Sequence, residues 1–289
     1  MGDRDVRVLE ALPAVGPTMA RSLAGSIGRR GAAPAVLPDR TVMVLRHTQD
    51  AERLAAYARV CGFTLRDRVP PTWLHVLTFP LQTWLMGERD FPFPLAGLVH
   101  VSNEMTLHRP VGVGEDLRLS VRADELRPHR RGATYAMVGE IHVADELVWS
   151  GRSTYLAPGA SVPGDPVDTP RAVGPEAAPS GEWRLPADLG RRYAAVSGDV
   201  NPIHLHPVTA RAFGFPRPII HGLWTHARAL AALEGRLPEA YRVDVAFTKP
   251  ILLPATVAFA AEHSGDGYRF AVMNRAGEKT YLIGGTSAP

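Results

Sequence analysis

An α+β fold made of two similar halves is predicted by three features of the 289-residue chain. Residues 157–181, "APGASVPGDPVDTPRAVGPEAAPSG", are rich in Pro, Gly and Ala, lack periodicity, and read as a linker near mid-chain. Each half shows a helix-like apolar stretch followed by successive strands. Short segments also recur in the same order on both sides of the linker. A helix followed by consecutive strands, twice, implies an antiparallel sheet around each helix. The division that follows is 1–35 as an N-terminal extension, 36–156 as a first copy, 157–181 as linker and 182–289 as a second copy.

The repeat rests on three pairs. "YAAVSGD" (193–199) aligns with "YARVCGF" (57–63), "RPIIHGL" (217–223) with "PTWLHVL" (71–77), and "VAFTKPILLPATV" (245–257) with "MTLHRPVGVGEDL" (105–117). Their offsets are 136, 146 and 140 residues, so the first copy lacks about ten residues directly after its version of the first segment. The copies differ in their polar residues. Asp199 aligns with Phe63, His204 with Arg68 and Gly222 with Val76, whereas His221 aligns with His75 and Lys249 with Arg109.

In the second copy, "LGRRYAAVSG" reads as a short helix stopped by Gly198. Pro207 opens "PVTARAF" and Gly214 ends it. "HGLWTHARALAALEG" is expected to be the longest helix, with Leu223, Ala227, Leu230 and Leu233 as its apolar stripe and Gly235 as its stop. "YRVDVAF", "ATVAFAAEH", "YRFAVMN" and "TYLIGG" read as strands, the first alternating Val243, Val245 and Phe247 with Arg242 and Asp244. In the first copy, Leu74, Leu77, Leu81, Trp84 and Leu85 mark the helix, which Pro80 is expected to kink or break. "LRLSVRADEL" and "ELVWSGRSTYL" are the strands that follow it.

Composition bounds the function classes. Apolar residues are 45% and charged residues 21%, enough for a substantial core. No window holds the roughly 18 apolar residues of a membrane span, and the N-terminus lacks a signal-peptide run, so a cytoplasmic protein is expected. Cys61 is the only cysteine, which excludes an intrachain disulfide and a thiolate metal cluster. The charge of +3 is too small, and too free of basic runs interleaved with aromatics, to indicate a nucleic-acid partner. It suits a ligand that carries phosphates.

"YAAVSGDVNPIHLH" concentrates the chemistry. Asp199 lies in a turn after a helix, and Asn201-Pro202 is expected to keep the following residues from being helical. Asp199 and His204 then project from one locally shaped segment. Two acceptors of different basicity suit activation of a water whose proton must move on. A bare Asp and His five residues apart are as a rule a turn cap and a satisfied core histidine. His221-Gly222 opens the next long helix, where backbone N–H groups have no intrahelical partner and glycine admits a ligand, an arrangement suited to an enolate-like oxyanion. His204, His206, His221 and His226 lack the spacing and the companion ligands of a metal site, so none is expected.

"YAAVSGDVNPIHLHPVTARAFGFPRPIIHGLWTHA" resembles the signature of the (R)-specific enoyl-CoA hydratases and MaoC-like dehydratases. The resemblance implies the hot-dog fold, an antiparallel sheet wrapped around a long helix. It implies further a double hot dog whose N-terminal copy is degenerate, matching Phe63 and Val76. By the same resemblance Asp199 and His204 form the dyad that activates water and passes a proton. Gly222 N–H is the donor to the thioester carbonyl, and Tyr193, Asn201 and His221 are supporting residues. Lys249 sits where a phosphate of CoA would be met. The implied reaction is reversible syn hydration of a trans-2-enoyl thioester to the (R)-3-hydroxyacyl thioester, on medium to long chains. No metal or redox cofactor is implied, since CoA or acyl-carrier protein arrives with the substrate. Further pairing of the fused chain into a homodimer is left open. The sequence departs from the family at His206, where many members have Asp, and at Pro254-Ala255-Thr256, where many have Pro-Gly-Asp. Two rivals share the fold: a non-catalytic acyl-thioester-binding protein or accessory subunit, and a thioesterase, whose own motif this chain lacks.

Overall fold

The computed structural model of the chain describes residues 5–26, 35–167 and 173–289. The chain packs into two compact units, neither of them contiguous in sequence. The first comprises Met1–Gln49, Leu74–Asn103 and Gly114–Pro170, and the second Asp50–Trp73, Glu104–Val113 and Arg171–Pro289. Residues 50–73, from the first half of the sequence, thus belong to the second unit. Among the described residues, no helix is long and apolar enough to cross a membrane.

The first half runs β1 (Asp5–Leu9), α1 (Val15–Ser26), β2 (Arg40–His47), α2 (Ala51–Cys61), α3 (Pro71–Met86), β3 (Val99–Leu107), β4 (Leu117–His129), β5 (Gly132–Val143) and β6 (Glu146–Pro158). In the first unit the strand order is β1-β2-β4-β5-β6-β3. β4 buries Leu117, Leu119, Val121 and Ala123, the period-2 face expected of a one-sided strand. β2 with β4, β4 with β5 and β5 with β6 pair antiparallel, whereas β1 with β2 is parallel and lies outside the expected pattern. Parallel neighbours need a crossover between them, and α1 lies in that interval.

α3 is the longest helix among the described residues, at 16 residues, and runs unbroken through Pro80. Thr83 Oγ1 donates to the carbonyls of Phe79 and Pro80, adding hydrogen bonds in the turn around the proline. Leu74, Leu77, Leu81 and Leu85 are all buried, but so are Thr78, Gln82 and Thr83. Tyr135 and Tyr155 from the sheet donate to Met86 Sδ and Gln82 Oε1. His75 is buried in the same unit, and loss of hydration pushes its imidazole down to about 4, so it is neutral at physiological pH.

The second half runs β7 (Gly181–Leu185), α4 (Leu189–Ser197), a 3-10 turn (Pro202–His204), α5 (Pro207–Ala212), α6 (Gly222–Ala232), β8 (Tyr241–Phe247), β9 (Ala255–Ser264), β10 (Gly267–Asn274) and β11 (Thr280–Ser287). Its strand order is β8-β11-β10-β9-β7, with β7 held at the edge by Trp183 opposite Val257. α6 packs on β10 and β11 and buries Trp224, Ala227 and Leu230. At 11 residues it is shorter than α3 and α1, not the longest helix, because Leu233 already leaves the helix as its C-cap. β8 alternates as expected, with Tyr241, Val243 and Val245 buried and Arg242 and Asp244 exposed.

The repeat is visible in the backbone. α2 stops at Gly62 with φ 83°, its N–H donating to Ala58, and α4 stops at Gly198 with φ 81°, its N–H donating to Ala194. Both glycines take the left-handed conformation that ends a helix at low steric cost. The copies then diverge. From Gly198 the chain passes through the 3-10 turn and α5 before α6, whereas from Gly62 it reaches α3 at Pro71 with neither element between. Arg68, aligned with His204, instead pairs with Glu239, and Phe63, aligned with Asp199, stacks on Tyr57 with ring centroids 6.5 Å apart.

Candidate active site

Asp199 is held by the turn that follows α4. Its backbone N–H donates to Ser197 Oγ at 3.2 Å, and its Oδ1 accepts from Asn201 N–H at 3.2 Å. One carboxylate oxygen therefore shapes the turn. Asn201 Oδ1 in turn accepts from Ile203 N–H at 3.4 Å and caps the 3-10 turn. The sequence-based expectation of a non-helical segment is corrected here: Pro202 starts a short helix, a position where its missing N–H is harmless.

His204 ends that turn and is 7% exposed. Its Nδ1 lies 2.8 Å from the Ile219 carbonyl. A carbonyl only accepts, so Nδ1 carries the hydrogen and Nε2 presents its lone pair. His221 Nε2 lies 2.9 Å from the Asp199 carbonyl and by the same rule carries the hydrogen. The two imidazoles stack with centroids 3.6 Å apart, and Tyr193 packs on His221 at 4.8 Å. One ligand-type atom from each of Asp199, His204 and His221 lies within 4.8 Å of the others.

Burial dominates the electrostatics. About a quarter of the Asp199 side chain still meets solvent (26%), yet loss of hydration holds its carboxyl above the ordinary value, opposed by His204 and the Asn201 N–H. Burial lowers His204, opposed by the Asp199 charge and the Ile219 carbonyl. Burial lowers His221 further, helped by repulsion from His204 and opposed by the Asp199 carbonyl. His221 is therefore neutral, and its 3.8 Å contact with Asp199 Oδ2 is not an ion pair.

The trio bears on the metal question. His221 Nε2, the nitrogen near the carboxylate, is committed as a donor to a carbonyl and offers no lone pair to a cation. The lone pairs that remain are those of the Asp199 carboxylate, His204 Nε2 and the buried, unpartnered His221 Nδ1. His206 is exposed and caps α5, its Nδ1 accepting from Val208 N–H at 3.2 Å. It fills an N-cap position that aspartate also favours, which accounts for the departure from the family pattern.

Gly222 is the first residue of α6. The first intrahelical bond runs from Thr225 N–H to the His221 carbonyl at 3.3 Å, so the N–H groups of Gly222, Leu223 and Trp224 precede the ladder. A Cβ at Gly222 would meet the Phe247 ring at 3.0 Å, so any side chain there would press on that ring. In the first copy α3 starts at Pro71, well before His75 and Val76. The Val76 N–H therefore lies inside the helix, tied into the ladder by ordinary helix geometry. Lys249 is exposed on the segment after β8.

Two residues beside the site were not expected from sequence. Gly190 in α4 touches the turn: a Cβ there would lie 2.3 Å from the His204 carbonyl oxygen. Arg53 in α2 donates from Nε to the Val196 carbonyl at 2.7 Å and from a terminal nitrogen to the Ser197 carbonyl at 3.1 Å. Gly190 is a helix glycine with no cap or turn to explain it, which is a signal of close approach. Arg53 carries no local signal, since it sits 143 and 144 residues from its partners.

Comparison with known proteins bears on the family and the fold. The family described as MaoC like domain matches residues 161–283, and the FAS1-like, dehydratase domain region matches residues 46–148. The chain is 39% identical over 252 residues to 3-hydroxyacyl-thioester dehydratase X of Mycobacterium tuberculosis, covering 85% of this chain and 90% of that protein. The crystal structure of HtdX from Mycobacterium tuberculosis aligns with a TM-score of 0.77 at 36% identity, over 86% of this chain and 100% of that one. A MaoC-like dehydratase from Phytophthora capsici shares the fold, with a TM-score of 0.69 at 19% identity over 86% of this chain and 95% of that one. By identity over nearly the whole length, this chain belongs to the MaoC-like dehydratases and has their double hot-dog fold.

Proposed function

We propose that the protein is a hydro-lyase that reversibly hydrates trans-2-enoyl thioesters to (R)-3-hydroxyacyl thioesters. The observation that carries this reading is the convergence of the Asp199 carboxylate and the His204 imidazole within 4.8 Å of each other, each with an open acceptor. Kinship with a protein named 3-hydroxyacyl-thioester dehydratase supports it. Residues 182–289 are proposed as the catalytic copy, residues 36–156 as the copy without the dyad, and 157–181 as their linker. CoA or acyl-carrier protein arrives with the substrate, and a cytoplasmic place and a homodimer of double hot dogs belong to the same proposal.

A neutral water has two hydrogens to donate, and the pair offers two acceptors, an Asp199 oxygen and His204 Nε2. As the oxygen of water adds to C3, one proton passes to the pair, and the double-bond electrons move onto the thioester oxygen. The Gly222 N–H at the start of α6 is placed in the proposal to meet that oxyanion, with the positive end of the helix behind it. The pair returns a proton to C2. Hydroxyl and proton arrive from one side, which is a syn addition. Water addition is redox-neutral, so the proposal includes no redox cofactor, and it includes no metal. Tyr193, Asn201 and His221 act on the shape of the pair, and Lys249 is proposed as a contact for a CoA phosphate.

The test is loss of enoyl-thioester absorbance on trans-2-enoyl-CoA substrates of short and long chain, with chiral analysis of the product. (R)-3-hydroxyacyl-CoA is the expected product. Acyl-CoA binding without turnover on any CoA or carrier-protein substrate would overturn the reading in favour of a binding subunit.

The two shifts also bound the pH profile. Activity needs an ionised Asp199 and a neutral His204. Burial holds the carboxyl above its ordinary 3.8 and the imidazole below its ordinary 6.5, so the two protonations are drawn together and the acid limb belongs to the pair. The kcat/KM profile is expected to fall on the acid side as the pair takes its first proton, in a limb above the ordinary carboxyl value of 3.8. An acid limb at or below that value, or a profile without one, would contradict that assignment.

A further inference from the structure

The copy without the dyad still supplies a group that bears on the Asp199 turn. Arg53 lies on α2, within the same compact unit as the site. Its two hydrogen bonds, at 2.7 and 3.1 Å, end on the carbonyls of Val196 and Ser197 in the last turn of α4. Those carbonyls are among the four at a helix end that have no intrahelical donor. A cation there also meets the negative end of the helix. The guanidinium stacks at 5.4 Å over the buried Trp73 ring, and Tyr57, one turn further along α2, packs against Tyr193 at 6.1 Å. α2 is thus fastened to α4 by a fork at one point and by ring packing at another.

Ser197 connects this fork to the chemistry. Its carbonyl accepts from Arg53, and its hydroxyl accepts the backbone N–H of Asp199 at 3.2 Å. The Asp199 carbonyl then accepts from His221 at 2.9 Å. We propose that Arg53 is a positioning residue for the reaction, clamping the end of α4 so that the following turn presents Asp199 at a fixed place beside His204. This rests on the hydratase reading given above. It also gives the first copy a part in catalysis although Phe63 and Arg68 stand at its own dyad positions.

The experiment compares the wild type with Arg53→Met and Arg53→Lys. Methionine keeps a flexible apolar stem over Trp73 and removes both donors, whereas lysine keeps the charge and can restore one bond. Arg53→Met is expected to lower kcat about 10-fold or more with KM within about twofold, as misplacement of a reacting group does. Lysine is expected to recover part of the loss. Amide exchange at residues 197–204 is expected to speed up in the methionine variant, with the strands of the second unit unchanged. A kcat equal to wild type, a loss confined to KM, or a loss in step with uniform loosening of the unit would each overturn the proposal. Wild-type protein without turnover would sink the hydratase reading instead, and the exchange data alone would then decide whether Arg53 holds the turn.

Discussion

Asp199→Asn is expected to lower kcat for enoyl-CoA hydration by about 1,000-fold, within the range assigned to a positioned acid or base, while substrate binding stays near wild type. Asparagine keeps the size of the side chain, and its carbonyl oxygen can still accept from Asn201 N–H, so the turn is retained. What is lost is the acceptor that can take and return a proton. His204→Ala is expected to lose a comparable factor, because it removes the Nε2 lone pair and leaves the Ile219 carbonyl without its donor. His204→Gln separates the two effects, since an amide can donate to that carbonyl but cannot serve as a base at neutral pH. Because one water is shared by both groups, Asp199→Asn combined with His204→Ala should be little worse than either change alone. Steady-state kinetics of the three variants and the combination, beside an acyl-CoA binding measurement, check this. Additive losses would mean that the groups act on separate steps.

The sequence made much of this site readable because the relevant signals are local. Gly198 stops α4 just before Asp199, and Pro207 opens α5 just after His206. Each is a one-residue signal with a backbone reason, and the helix ends fall within a residue or two of those expected. The repeat was readable for the same reason, through Gly62 and Gly198 in the same left-handed conformation. The Pro202 turn was misread because proline discourages helix behind it in the chain but suits the first position of one ahead. α3 outruns α6, against expectation, because it continues through Pro80, where Thr83 Oγ1 adds hydrogen bonds to the carbonyls of Phe79 and Pro80. Residues 50–73 group with the second unit through long-range contacts of Arg53, Tyr57 and Val60, and no periodicity records such partners. The parallel pairing of β1 lies in the N-terminal extension, to which no element was assigned.

The protonation states are a further layer that lies beyond sequence. His204 and His221 are both histidines of one motif, yet they point different nitrogens at carbonyls. His204 commits Nδ1 to Ile219, and His221 commits Nε2 to Asp199. That choice leaves His204 with its Nε2 available as a base and makes His221 a strut on the Asp199 backbone. Motif spacing cannot separate these roles, because both follow from which carbonyl each ring meets in the folded chain.

Gly190→Ala should show how closely the turn is held against α4. In a helix alanine is normally the better residue, by about 1 kcal/mol over glycine, so propensity alone predicts a gain. Contact predicts the opposite. The added Cβ would fall 2.3 Å from the His204 carbonyl oxygen, which is backbone and cannot turn aside as a flexible side chain would. Either α4 moves or the turn carrying His204 moves. Arg191, the next residue, donates to the Leu205 carbonyl at 3.2 Å, so the same displacement strains a second link between α4 and the turn. Overpacking of this kind costs about 2 kcal/mol, or roughly 5 °C in Tm for a chain of this size. The catalytic loss is expected to be larger than that stability loss suggests. A shift of about 1 Å in a reacting group can cost on the order of 100-fold in rate, and His204 is the residue displaced. Gly174→Ala, where no atom lies within 4 Å of the added carbon, serves as the control and should leave both Tm and kcat unchanged. A Gly190→Ala protein with raised Tm and full activity would mean that helix and turn yield to each other freely, and that the pair does not depend on the register of α4 against the turn.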